Sequence, residues 1–130
     1  MNTRLDVATF MRAGDQNVET KNAGFYPGRL SQADLYMDLV TEEFNELSEA
    51  VNKKDIVETA DACADLIWVV EGLMYSLGID PQTVWDEVAK SNHSKTVEGK
   101  LIKREDGKVM KPEGWKPPDL GNYANKKLAL

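Results

Sequence analysis

The sequence predicts an all-α fold: a four-helix bundle carrying a short C-terminal hairpin or extended arm. Three observations lead there. Four segments before residue 93 carry apolar residues at helical spacing. The remainder is rich in Gly and Pro, with a hairpin turn signal at Asp106-Gly107. No repeat at a period of ~20–50 residues runs through the chain, which excludes a solenoid. A length of 130 residues, 42 % of them hydrophobic and 29 % charged, fits one globular domain over 1–130. Residues 93–130 form its basic arm.

The first helix is expected over 3–13, capped by Thr3, with Val7, Phe10 and Met11 as its stripe. Residues 14–30 read as a loop broken by Gly14, Gly24, Pro27 and Gly28, and loops of this length are often functional or mobile. Ser31 is the expected N-cap of the second helix, with Asp34 at the third position. From there to Lys54, Tyr36, Val40, Phe44, Leu47 and Val51 share one stripe. Asp55 caps a third helix whose stripe is Ile56, Ala60, Cys63, Ile67, Val70 and Met74, and Gly78 is its natural terminator. Asp80-Pro81 opens a fourth helix with proline at its first position. It carries Val84, Trp85 and Val88 and fades near Ser91-Asn92. Beyond it, residues 101–111 alternate weakly around Asp106-Gly107, residues 111–120 read as extended, and the last residues are expected to fray.

Charge and composition remove several function classes. A formal net charge of −6 argues against nucleic acid as a partner. No apolar run reaches the ~18 residues of a membrane span, so no membrane partner is expected. The N-terminal MNTRLDVATF lacks the apolar core of a secretory signal. One cysteine and one histidine leave no disulfide framework and no cysteine zinc site, and speak against Ser-His-Asp chemistry. Together these features lead to the expectation of a soluble protein in a reducing compartment, the cytoplasm. The total charge hides an asymmetry. Residues 1–89 hold 6 Lys/Arg against 17 Asp/Glu, whereas residues 90–116 hold 8 against 4. A protein that holds a cation beside a phosphorylated ligand could be divided this way.

The position of the acids carries the functional reading. On the second helix Glu42, Glu43 and Glu46 share one flank, with Glu43 bordering the apolar stripe. On the third, Glu58, Asp61 and Asp65 fall within a wedge of about 60°, with Gly72 in the same wedge. No Lys or Arg lies between Leu30 and Val51, nor between Lys54 and Lys90. Like charges at these spacings repel by about 0.2–0.5 kcal/mol per pair. A single acidic face is commonly only solvated surface. Two consecutive helices with clustered acids and no counterions instead call for a cation. Oxygen ligands without His or Cys suit Mg²⁺, Mn²⁺ or Ca²⁺ rather than zinc or copper. A di-iron bundle would need ExxH pairs, and an EF-hand its own spacing; neither occurs. Mg²⁺ with a phosphorylated substrate remains. Glu49 and Glu71 read as solvent acids, Cys63 as a small buried hydrophobe, His93 as a surface residue, and Phe10 and Trp68 as core.

Glu42-Glu43-Phe44-Asn45-Glu46, followed by DACADLIWVV, resembles the EExxE and second acidic motif of the all-α nucleoside triphosphate pyrophosphatases. That superfamily includes MazG, phosphoribosyl-ATP pyrophosphohydrolase and the dimeric dUTPases. The resemblance is strongest to the MazG-like branch, through Gly78 to Asp80, Glu87 to Lys95, Asp106 to Pro112, and Pro117-Pro118. It covers about residues 5–120; EExxE alone is unspecific, whereas the ordered set is specific. The second motif has two registers. Glu58 with Asp61 satisfies ExxD literally; aligning ADLIWVV with the usual segment makes Asp65 the final acid and Asp61 its partner.

The resemblance implies Mg²⁺-dependent hydrolysis of a (deoxy)nucleoside triphosphate between its α and β phosphates, giving a monophosphate and pyrophosphate. Mn²⁺ is a possible substitute. In that reading Glu43, Glu46, Asp61 and Asp65 hold the metal, with Glu58 as an additional or outer ligand. Glu42 orients the attacking water or shares a metal with Glu43. Lys90 and Lys95, then Lys108 and Lys111, clamp the polyphosphate, and Asn92 hydrogen-bonds phosphate or sugar. Members associate as homodimers or homotetramers, and Trp68, Val69, Leu73 and Tyr75 extend apolar surface beyond one stripe. A short chain of this kind is compatible with a bacterial or phage origin, including phage members (MazZ) that process purine nucleotides. No residue names the base. Two other classes compete: a non-catalytic nucleotide or metal sensor, and a helical interaction module whose acids are only surface.

Overall fold

The structure is a computed structural model that describes residues 2–123. It is mainly helical, with four helices and a short two-strand hairpin towards the C-terminus. The expected fraying of the last residues lies outside the described residues. The chain divides into two compact units, one running to Pro81 and the other beginning at Gln82.

The first unit holds α1 (Thr3–Ala13), α2 (Leu30–Asn52) and α3 (Ile56–Ser76). Asn2, not Thr3, caps α1: its side chain accepts from the backbone N–H groups of Arg4 and Leu5 at 3.1 and 3.2 Å. Thr3 lies inside the helix, where its hydroxyl donates to Glu71 at 3.0 Å. Ser31 caps nothing either. A 3₁₀ turn over Pro27–Arg29 runs straight into α2, and no side chain caps that junction. The Lys53–Asp55 corner turns the chain back so that α3 packs along α2. There the N–H of Lys54 donates to Val51 and that of Asp55 to Ala50, with Lys54 in the left-handed region at φ 56°. These are the two reversed bonds that satisfy orphan carbonyls at a helix end. Asp55 then caps α3 by accepting from the Glu58 N–H at 3.1 Å. Gly78, at φ 74°, closes α3 with the same pair of bonds, as its sequence position predicts.

The core consists of Val7, Ala8 and Met11 of α1, Tyr36 of α2, and Val69 and Tyr75 of α3, edged by Leu39, Val40, Leu66, Trp68 and Leu73. This corrects the expected face of α3. Ile56 and Ile67 are 78 % and 55 % exposed, and Cys63 is exposed rather than buried. The buried side instead carries Ala62, Val69, Gly72 and Ser76. The helix is apolar nearly all round, so periodicity could not select its inner face. Small residues select it, because they let α2 approach closely. A Cβ on Gly72 would stand 2.1 Å from the Tyr36 ring. Phe44 and Val51 of α2 are likewise exposed.

Residues 14–30 are tied to the helices. Arg29 donates to the carbonyls of Lys21, Asn22 and Leu77 at 2.8, 2.6 and 3.1 Å. Gln32 exchanges two bonds with the Asn17 backbone and donates to Ser76 Oγ at 2.9 Å. Tyr36 donates its hydroxyl to Gln16 at 2.6 Å.

The second unit holds most of α4 (Pro81–His93), then β1 (Thr96–Val97) and β2 (Lys100–Leu101), paired antiparallel with Thr96 opposite Leu101. Glu98 and Gly99 turn the hairpin with φ values of 52° and 77°, positive at both central positions as a type I′ turn requires. The expected Asp106-Gly107 turn is present as well, with Lys103 and Val109 bridged across it. Among the described residues no single helix is long and apolar enough to cross a membrane.

Candidate active site

The pairing of α2 with α3 brings the two acidic faces together. Glu43 is half-buried, and its Oε2 is buried without a hydrogen-bond partner. Burial, a hydrogen bond shared with Glu46, and the charges of Glu46, Asp65 and Glu42 push its carboxyl up to about 7. Asp65 is also raised, by burial and then by the charges of Asp61 and Glu46. Five of the six expected acids therefore act on one another across the helix pair. Glu58 is not among the charges that raise Glu43 or Asp65. With Glu46, Asp61, Asp55 and Lys53 it lines a cleft of about 330 Å³ running towards the corner. Both registers of the second motif thus face this helix pair, with Asp61 common to them.

Among the described residues no three His, Cys, Asp or Glu side chains already converge on one point at ligand distances. The donor set still fits a hard divalent cation. Every donor is a carboxylate oxygen, one buried oxygen lacks any partner, and mutual repulsion makes added positive charge favourable.

The basic candidates lie in the second unit. Lys95 and Lys111 each place an ammonium over the Trp115 ring, 5.5 and 4.5 Å from its centroid. Lys95 also donates to Asn92 at 3.1 Å. Lys90 lines a pocket of about 370 Å³ beside Trp115. Lys108 falls in the Asp106-Gly107 turn, where its N–H donates to Asp106.

A profile of the phosphoribosyl-ATP pyrophosphohydrolase family matches residues 7–92. The chain belongs to this family. The match spans both acidic faces, Lys90 and Asn92, and ends before Lys95, Lys108, Lys111 and Trp115. The family is one of pyrophosphohydrolases and is typically metal-dependent. An uncharacterized protein of Acanthamoeba polyphaga mimivirus is 33 % identical over 63 residues. That alignment takes in 47 % of this chain and only a quarter of the viral protein's length.

Sequence reasoning missed two features. Glu71, read as a solvent acid, is buried and accepts from Thr3, with its Oε2 unpartnered. Its flank of α3 faces α1, and no pattern within α3 reveals that. Trp115 received no role; an isolated tryptophan between lysines in an extended segment was the available signal. By contrast Glu49 is the expected solvent acid, paired with exposed Lys53 at 2.7 Å. Phe10 and Trp68 meet edge to face at 5.5 Å, although Phe10 is 62 % exposed.

Proposed function

We propose that the protein hydrolyses a nucleoside triphosphate, or a nucleotide bearing the same triphosphate, at the bond between its α and β phosphates. The observation that carries this reading is the unpartnered, buried Glu43 Oε2 amid the carboxylates of Glu42, Glu46, Asp61 and Asp65. Glu43, Glu46, Asp61 and Asp65 would hold Mg²⁺ or Mn²⁺, with Glu58 as an outer or additional ligand. The bound cation would neutralise phosphate oxygens and make the phosphorus more electrophilic. Glu42 orients the attacking water. Glu42, which stands outside that ligand set, is suited to take its proton. Water oxygen bonds to the α phosphorus, the bond from that phosphorus to the bridging oxygen breaks, and pyrophosphate leaves. Lys90, Lys95, Lys111 and Asn92 are proposed to bind phosphate, and Lys108 to contribute only peripherally. The carboxylates belong to the first unit and the lysines to the second, so their roles are tested separately.

The testing experiment offers all NTPs, dNTPs and phosphoribosyl-ATP with Mg²⁺, with Mn²⁺ and with EDTA, scoring monophosphate and pyrophosphate release. Metal-dependent production of a monophosphate from one or a few of them supports the reading. Glu43→Gln and Asp65→Asn should then each cost at least ~10²-fold in kcat with helix content unchanged. Full activity in both variants would overturn the site assignment.

A further inference from the structure

We propose that Trp115 is the positioning residue of a polyphosphate-binding pocket in the second unit, its indole seating the Lys95 and Lys111 ammonium groups beside that pocket. The proposal deepens the reading above by naming the part of the substrate this pocket takes, and its test requires no turnover. Two lysines rest on one ring. A carboxylate in the place of that ring would hold them equally well but would cancel their charge. A neutral indole holds a cation through its electron-rich face and leaves the charge available. Among the described residues neither Lys95 nor Lys111 pairs with a carboxylate.

The indole itself is fixed. Its Nε1–H donates to the Ser91 carbonyl at 3.1 Å, and Ser91 Oγ donates to the Lys116 carbonyl at 3.1 Å. This reciprocal pair joins the last turn of α4 to the segment carrying Trp115. The Ser91 carbonyl accepts a further bond from Ser94 Oγ at 2.6 Å, which blunts the negative end of the helix that an anion would otherwise meet. A volume of about 370 Å³ lies within the range of small-molecule sites. Lys90 and Lys116 line it, but so do Glu87, Glu113 and Asp119. The wall alone is not basic, and attraction for an anion depends on the two lysines that Trp115 seats. Two cations held on the ring that lines the pocket attract an anionic phosphate far more than an uncharged base. The geometry therefore points to phosphates rather than the base.

Titration calorimetry of the full chain in EDTA tests this, with tripolyphosphate, pyrophosphate and AMP as probes. EDTA keeps metal from the carboxylates, which then repel a polyanion. Wild type should bind a polyphosphate more tightly than AMP, and raised salt should weaken it. Tighter binding of tripolyphosphate assigns the pocket to the substrate's triphosphate; equal or tighter binding of pyrophosphate assigns it to the product. Trp115→Leu should weaken binding about tenfold, from loss of both cation–π contacts, while Trp115→Phe, which keeps a ring, should stay within ~3-fold. Should Trp115→Leu fail to fold, Lys95→Gln combined with Lys111→Gln must produce the same loss. Absence of polyphosphate binding by wild type, a preference for AMP, or a folded Trp115→Leu that binds as wild type would overturn the proposal. Failed turnover with this binding intact would fault only the reading of the carboxylates.

Discussion

At the scale of single residues, Glu43 has the most consequential environment. Its carboxyl is raised from 4.5 to about 7, so between those values the folded protein binds a proton that the unfolded chain has released. Its contribution to stability is therefore present at acid pH and is lost as pH rises through that interval. Asp65, raised from 3.8, acts in the same sense. Glu49 and Asp106 act oppositely: Lys53 and Arg104 lower them, so their stabilisation is lost only at more acid pH. Thermal melts in EDTA should show wild type losing stability from pH 5 to pH 8, and Glu43→Gln losing less. Mg²⁺ should raise the melting temperature more at pH 8 than at pH 5, because protons compete for the same oxygens. Equal pH profiles for wild type and Glu43→Gln would contradict this account. The sequence placed Glu43 beside the apolar stripe by angle alone, and the structure finds it half-buried. It could not reveal the burial of Glu71, which depends on α1, a helix 68 residues away by the Thr3–Glu71 bond.

At the scale of elements, the site depends on how closely α2 and α3 approach. Gly72 permits it, since any Cβ there would overlap the Tyr36 ring. The ring is held by the Tyr36 hydroxyl bond to Gln16, and burial pushes that phenol above its ordinary value. Gly72→Ala should therefore destabilise by about 1–3 kcal/mol, the usual range for overpacking, and should reduce Mg²⁺-dependent stabilisation with it. Urea unfolding measures this; a change below ~0.5 kcal/mol would mean that the ring can move aside. The sequence marked Gly72 as lying in the acidic wedge but gave no reason for it. The helix ends were more legible. Asp55 and Gly78 act as their positions predict, because caps depend on residues within one turn. The Lys54 turn went unread because lysine rarely adopts a left-handed conformation.

At the scale of the whole molecule, the single chain leaves Phe44, Val51, Ile56, Val57 and Ile67 more than half exposed on its two longest helices. Apolar residues in that number commonly mark a partner surface. We propose that a second copy of this chain covers them, as the resemblance to oligomeric pyrophosphatases implies. Light scattering should give a mass of at least twice 14.5 kDa. Ile56→Lys combined with Ile67→Lys should lower it to that of one chain without loss of helix content. A wild-type monomer throughout the micromolar range would end the proposal.

Sequence alone determined what local chemistry controls: four helices, most of their ends, the Asp106-Gly107 turn, and two acidic faces without counterions. Each depends on residues within a few positions of one another. Tertiary structure decided which side of α3 is buried, since a helix apolar nearly all round presents several stripes of similar hydrophobic gain. Close approach at Ala62, Gly72 and Ser76 separates them. The same packing sets Glu43 and Asp65 within one another's electrostatic reach, and folding of the second unit puts Lys95 and Lys111 on Trp115. These depend on contacts between residues distant in the chain, whose free energies no single segment contains.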